Sequence, residues 1–367
     1  MIENREALDR AATALSEAPV LAIDTEFARF NTYYPMVGLI QIYDGHDCYL
    51  IDPLAVDSLE PLVPLMTSPD SVKVFHSGSE DMEVFQHCLG VVPVNLFDSQ
   101  IAAAALGVGF SMSYQAIVEH YLDITIAKDE TRSDWLQRPL TTSQLDYAAL
   151  DVIYLLAVFE RQRADLTERD RMALVMEESG KLGSDLPILI APEDAYLKAK
   201  GLPGLDRLQL GVMRGLFAWR ERIARRENLP RNRVIDQKAI FAIARGSVRD
   251  RAALFRVEGL TPRQARRYGD EILAEVDAAR DLPESELPHR VNREKTPIDN
   301  AALKRLRAVV EHRAQSLSMA PELLTKRRDL EALLRSRTAD GEFSLPDSLT
   351  GWREAVVGND LLAALKG

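Results

Sequence analysis

Cysteine is nearly missing from this chain. The two that occur, Cys48 and Cys88, are too few for a disulfide framework and show no metal-ligand spacing. Both are expected to be small buried residues of a reducing compartment. No stretch approaches the ~18 uninterrupted apolar residues of a membrane span, and no cationic start leads into an apolar run. A cytoplasmic protein with no membrane association is expected. No low-complexity tract occurs, and no feature calls for an obligate protein partner. Basic residues are in the minority, 45 Lys and Arg against 56 Asp and Glu for a net charge of −11, which taken alone argues against a polyanionic ligand.

The distribution of that charge matters more than its sum. Residues 1–200 carry 14 Lys and Arg against 32 Asp and Glu, whereas the remainder carries 31 against 24. An acidic half joined to a basic half fits a metal-dependent catalytic domain with basic appendages that hold a polyanion. A chain of 367 residues is long enough for two or three domains.

The acidic half is organised around Val20-Leu21-Ala22-Ile23-Asp24-Thr25-Glu26-Phe27. Four apolar residues read as a strand buried on both faces. Side chains two apart in a strand point the same way, so Asp24 and Glu26 converge at its end and repel unless a cation or proton lies between them. An aromatic loop follows, Arg29-Phe30-Asn31-Thr32-Tyr33-Tyr34-Pro35. Then come a strand over 37–43, an Asp44-Gly45 hairpin and a returning strand over 47–51. Alternating helix and strand after this meander predict a mixed α/β sheet with helices on its faces. In His76-Ser77-Gly78-Ser79-Glu80-Asp81, Ser79 is a candidate N-cap and Asp81 falls in the first helical turn, where the dipole favours an acid. Asp98 has the position of a cap for the next helix. A long helix over 141–163 carries Asp151 among Ala149, Leu150, Val152 and Ile153. An Asp so placed is costly to bury without a partner, and a divalent cation would serve. Tyr147, four residues earlier, shares its face.

Asp24-Thr25-Glu26-Phe27, His76-Ser77-Gly78-Ser79-Glu80-Asp81 and Tyr147-Ala148-Ala149-Leu150-Asp151 resemble, in order, the three motifs of the DEDD exonucleases, in the subgroup with Tyr in the last motif. Phe97-Asp98-Ser99-Gln100 and Arg132-Ser133-Asp134-Trp135-Leu136-Gln137-Arg138-Pro139-Leu140 resemble the ribonuclease D branch, over about residues 15–165. Ser99 stands where that branch commonly has Thr, which keeps the hydroxyl. The resemblance implies an RNase H-like fold and hydrolysis of phosphodiesters from the 3′ end with two Mg²⁺ or Mn²⁺ ions. It implies that Asp24, Glu26, Asp81 and Asp151 hold the metals and that Tyr147 acts on the nucleophile. Lys128 and Arg132 become candidate phosphate contacts, and Phe27 and His76 candidate RNA contacts. Trp135 either stacks on a base or anchors its segment.

Residues 165–203 read as a transition punctuated by Pro187, Pro192, Gly201 and Pro203. Beyond it, 201–285 is helical, with 17 basic and 12 acidic residues, and resembles the helical (HRDC) domain shared by RecQ-type helicases and ribonuclease D. Arg225, Arg226, Arg231 and Arg233 gather at one helix–loop junction there and are candidate RNA contacts. Residues 281–298 read as a linker, and the remaining helical segment looks like a diverged second copy. The expected organisation is an exonuclease domain over 1–200 followed by all-α bundles over 201–285 and 295–367. The expected activity is a 3′→5′ exoribonuclease acting on tRNA precursors and other structured RNA with free 3′ ends. The alternatives are an exonuclease acting on DNA or an inactive nucleic-acid-binding scaffold.

Overall fold

The computed structural model describes residues 1–126, 130, 133–184, 186, 189–246, 248–291 and 298–366. In chain order its main elements are α1 (Arg5–Leu15), β1 (Val20–Ala28), β2 (Met36–Tyr43), β3 (Cys48–Ile51), α2 (Val63–Thr67), β4 (Val72–Phe75), α3 (Ser79–Cys88), β5 (Leu96–Asp98), α4 (Ser99–Leu106), α5 (Tyr114–Leu122), α6 (Thr142–Glu168), α7 (Met172–Gly180), α8 (Arg207–Arg226), α9 (Arg231–Val234), α10 (Gln237–Arg245), α11 (Arg251–Leu254), α12 (Pro262–Asp281), α13 (Asn300–Leu317), α14 (Pro321–Leu324), α15 (Arg327–Arg335) and α16 (Asn359–Lys366). They form two compact units, one of residues 1–28, 37–184 and 295–367, the other of residues 29–36 and 185–294.

The first unit is built on a five-stranded sheet in the order β3-β2-β1-β4-β5. β2 and β3 pair antiparallel (Ile40 with Ile51, Tyr43 with Cys48), while β1–β4 and β4–β5 are parallel. β1 is therefore central, which is why Leu21, Ala22 and Ile23 are all sealed from solvent. Asp44 turns the hairpin by accepting the N–H groups of His46 and Asp47 on its Oδ1, with Gly45 at φ 99°. α6 starts at a capping box between Thr141 and Gln144 and packs its Val152, Leu155 and Phe159 against β1 and β5 residues, Phe159 meeting Phe97 edge-on at 4.8 Å. By length and composition α6 passes for a membrane span, but its apolar side is the core of this sheet domain.

The C-terminal helices α13–α16 share that core rather than forming one of their own. Leu303, Leu306, Val310 and Leu324 pack in one cluster with Ala105, Leu106 and Val175. Arg353 grips Glu178 through both guanidinium nitrogens at 2.7 Å, and the Trp352 indole N–H donates to the same carboxylate at 2.9 Å. Together with the Lys181 ammonium these donors hold Glu178 down at about 2. Gly107 sits at φ 73° with the Ser318 carbonyl so close that a Cβ would lie 2.5 Å from it, so no larger residue fits there.

The second unit is a helical bundle around Met213, Leu216, Phe217, Ile240 and Ile272. α8 and α12 both begin with capping boxes, Asp206 with Gln209 and Thr261 with Gln264. The loop 29–36 leaves β1 and joins this bundle. Asn228 Oδ1 accepts the N–H groups of Tyr33 and Tyr34, each at 3.0 Å. The Tyr33 ring is buried and its hydroxyl donates to Glu221.

Two local expectations are corrected. Gly78, with no side chain to offer, occupies the N-cap of α3, and Ser79 is its first helical residue. Gly78 is required there because a Cβ would come 2.7 Å from Phe75 Cβ, and its N–H is held by Asp98 at 2.8 Å instead. The stretch read as a transition contains α7, whose Ser179 hydroxyl accepts the Asp98 N–H at 2.9 Å. Its short apolar pattern is too brief to announce a helix without the sheet it covers.

Candidate active site

β1 ends in Asp24-Thr25-Glu26, and strand alternation sends both acids to one side. α6 packs on β1 and brings Asp151 to them. One carboxylate oxygen from each of Asp24, Glu26 and Asp151 lies within 4.8 Å of the other two. Asp81, in the first turn of α3, is 7% exposed and accepts the Thr25 hydroxyl on Oδ1. Tyr147 hydrogen-bonds Asp151 from one turn earlier on the same helix. Three separate elements thus supply the acids, and the middle residue of the Asp-Thr-Glu stretch ties the fourth acid to the strand.

Among the described residues, the electrostatics are those of an anion cluster without an internal cation. Burial, then the charge of Asp151, pushes the Asp24 carboxyl up to about 8. Burial, then Asp24, Asp151 and Asp81, pushes Glu26 up to about 10. Burial raises Asp151 to about 7 against the opposing hydrogen bond from Tyr147, and burial with the Asp24 charge holds Asp81 well above the carboxylate range. Asp151 Oδ1 is buried with no hydrogen-bond partner. An orphaned carboxylate oxygen among converging carboxylates is the hard oxygen donor set that Mg²⁺ or Mn²⁺ takes. The residues present fit a divalent cation.

A surrounding layer holds these groups in place, and the sequence reading missed most of it. The Tyr114 hydroxyl on α5 donates to the Asp151 carbonyl. His76, expected as an RNA contact, is committed instead to this layer: its Nδ1 lies 2.8 Å from Ser99 Oγ and its ring stands edge-on to Tyr114 at 5.4 Å. Of the two alternatives for Trp135, its burial favours the anchor. It is 3% exposed, packs with Leu39 and Ala148, and its backbone covers Gly38 so closely that a Cβ there would lie 2.4 Å from the Trp135 carbonyl oxygen. Arg138 clamps the same run, forking onto Asp52 at 2.6 and 2.7 Å and donating to the Gly38 carbonyl at 2.6 Å. The stretch 133–140 is therefore a structural clamp across β2. Phe27 is half-buried at the end of β1. Lys128 and Arg132 lie outside the described residues.

The four arginines of the second unit divide in two. Arg225 and Arg231 pair with Glu221, which they reach at 3.0 and 2.6 Å, and both donate to the Tyr33 hydroxyl. Arg226 stays exposed with a 3.2 Å bond to Glu227, and Arg233 stays exposed with a 3.4 Å bond to Asn31 Oδ1.

Comparison with known proteins agrees with this geometry. Residues 1–166 match the 3′-5′ exonuclease family model, 209–276 the HRDC domain, and 297–361 the ribonuclease D C-terminal HRDC domain. A ribonuclease D from Pseudomonas paraeruginosa is 44% identical over 348 residues, covering 95% of this chain and 92% of its own length. The chain belongs to the ribonuclease D family. The Escherichia coli ribonuclease D is 35% identical over 358 residues, covering 96% of this chain and 94% of its own length. The crystal structure of an Escherichia coli RNase D, described as an exoribonuclease involved in structured RNA processing, superimposes with a TM-score of 0.91 at 33% identity, covering 100% of this chain and 98% of that one. As in the rest of the ribonuclease D family, the activity is that of a 3′→5′ exoribonuclease and the substrate class is RNA. The family is divalent-metal dependent, and among the described residues the acidic cluster at the end of β1 is a group that could hold such an ion.

Proposed function

We propose that the chain trims the 3′ ends of tRNA precursors and other structured RNA in the cytoplasm, releasing 5′-mononucleotides with two Mg²⁺ or Mn²⁺ ions, and that Asp24, Glu26, Asp81, Tyr147 and Asp151 carry the reaction. We further propose three functional segments, an exonuclease domain over 1–200 and helical domains over 201–285 and 295–367. The observation that carries the site is the convergence of Asp24, Glu26 and Asp151 within 4.8 Å, with Asp151 Oδ1 left without a partner. When bound, a pair of divalent cations supplies charge at both the attacking and the leaving oxygen of an in-line displacement.

The chain's own groups do the rest. Asp24 and Glu26, fixed on the central strand, and Asp151, fixed on α6, set the positions of the donor oxygens. Thr25 locks Asp81 by its hydroxyl, and the acid so held would help Asp24 hold a cation. Tyr114 fixes the backbone of Asp151. Tyr147 holds Asp151 and orients the attacking water. A phenol is too weakly acidic to be the main base near neutral pH, so orientation is its principal contribution.

The test compares release of 5′-mononucleotides from a 3′-labelled tRNA precursor, an unstructured RNA and a DNA of the same sequence, with Mg²⁺, Mn²⁺ or EDTA. Stepwise mononucleotide release from both RNAs in Mg²⁺ or Mn²⁺, its loss in EDTA and at most slow release from DNA are expected. Equal rates on DNA, or internal cleavage products, would overturn the proposal.

A further inference from the structure

The aromatic loop after β1 has no part in the chemistry above, and it belongs to the helical bundle. Tyr33 seats it. Its hydroxyl donates to Glu221 and accepts from Arg231 at 2.9 Å and Arg225 at 3.2 Å, while the Arg231 guanidinium lies 4.7 Å from the ring centre. Asn228 holds the backbone on the same side. Such fastening leaves the preceding residues presented in a fixed place. Phe30 is 83% exposed, the largest exposure among the large apolar side chains described. Asn31 lines a pocket of about 620 Å³ together with Asn232, Arg233, Arg263, Arg267 and Tyr268. Arg267 is paired with Glu227 at 2.6 Å. Among the described residues Arg263 makes no ion pair, the Arg233 guanidinium makes only its 3.4 Å bond to Asn31, and no carboxylate lines the pocket.

We propose that this pocket and Phe30, all of the second unit, form a capture site for one unpaired nucleotide of the RNA substrate. The phosphate is taken by Arg233 and Arg263, the base edge by the amides of Asn31 and Asn232, and a neighbouring base stacks on Phe30. The volume lies in the range of small-ligand sites. Cations and side-chain amides in one pocket, with an exposed aromatic ring on the residue next to Asn31, are the groups that hold single-stranded RNA. The inference rests on the RNA-processing role proposed above and adds to it a place where substrate is held. It also gives the basic excess of this bundle a place to serve RNA besides Arg225 and Arg231, which pair with Glu221.

The test uses the full chain as wild type, Phe30→Ala, and Arg233→Ala with Arg263→Ala. Affinity for a hairpin RNA with a single-stranded 3′ tail is measured in EDTA across a salt series. Turnover of a tetranucleotide is measured separately in Mg²⁺. Phe30→Ala is expected to weaken affinity about tenfold with the salt slope unchanged. The double arginine variant is expected to weaken it by about tenfold or more and to flatten the slope of log K against log salt by about 0.7, the contribution of the one single-strand phosphate that the two arginines share. Tetranucleotide turnover should stay at the wild-type value in both. Affinities within twofold of wild type would overturn the capture site. So would an equal loss on the tetranucleotide, which would mean that the loop merely supports the strand before it. If wild type failed to trim the precursor, the RNA-processing role would fall, whereas the affinity series reads the capture site on its own.

Discussion

Asp151 and Glu221 are both acids on the inward side of a long helix, 7% and 1% exposed, and their surroundings are opposite. Glu221 lies in the first helical domain with Arg225, Arg231 and the Tyr33 hydroxyl on it, and these donors hold it below the ordinary carboxylate range although burial alone would raise it. Asp151 lies in the sheet domain with Asp24 and Glu26 beside it, an unpartnered oxygen and a carboxyl pushed up to about 7. Glu178, gripped by Arg353 at about 2, repeats the first pattern at the C-terminal helices. The lesson is that an acid buried with its own cation is a structural fastener, whereas acids buried together without one form a site that needs something from solution.

The contrast is broken most severely at the cluster itself. Asp24→Asn and Asp151→Asn should each lower hydrolysis by at least about 10³-fold at saturating Mg²⁺, since each removes a ligand charge that acts on the developing transition state. The same changes should leave the metal-free protein at least as stable as wild type, because they relieve repulsion. A thermal melt in EDTA beside the activity assay reads both halves. Activity within tenfold of wild type would contradict the assignment.

Glu221→Ala should behave in the opposite way. Removing a buried acid that satisfies two guanidiniums is expected to destabilise the first helical domain by about 3 kcal/mol, read as a lower midpoint in a urea melt. Little change in that midpoint would show that Glu221 is not a fastener. Tyr147→Phe should be comparable in size but kinetic, lowering kcat by about 10²-fold with little change in KM, because only an orienting hydroxyl is lost. A raised KM with unchanged kcat would make Tyr147 a binding residue.

The smallest effect separates the two kinds of acid by pH. Asp24, Glu26 and Asp151 have folded-state values raised to about 8, 10 and 7. Their contribution to the stability of the metal-free protein is full below the ordinary carboxylate range and is lost as pH rises through 7 to 10. Glu178, lowered to about 2, contributes above its ordinary value and loses that contribution as pH falls towards 2. In EDTA, melts of wild type and Asp24→Asn should therefore diverge as pH rises from 6 to 9, the variant losing less. Parallel curves would mean that the cluster is not strained by its own charge.

Much of this was legible in the residues. The buried run before Asp24, the Asp44-Gly45 turn and the acid set inside an apolar helix carry their meaning locally, because strand alternation and helical spacing fix where side chains point. What supports the cluster was not legible. Tyr114 acts through a backbone carbonyl 37 residues away, and Thr25 through an acid 56 residues away, with no short-range pattern to mark either pair. The arginines misled for a related reason. Charge counting treats Arg225, Arg231 and Arg233 alike, whereas one buried Glu221, opposite a tyrosine from a distant loop, consumes the first two and leaves the third. The spacing of the C-terminal helices also gave no sign that their apolar faces complete the core of the sheet domain. Hydrophobic spacing shows that a face is covered and does not show by what.

The central claim is that the cluster of Asp24, Glu26 and Asp151 is held short of positive charge until a divalent cation arrives. The most direct measurement is calorimetric titration of Mn²⁺ into the metal-free protein at pH 7 in buffers of different ionisation enthalpy, for wild type and Asp24→Asn. The account predicts that wild type binds with release of protons, seen as a buffer-dependent enthalpy, and that the variant binds far more weakly and releases fewer. Equal binding by both proteins, or wild-type binding with no proton release, would contradict it.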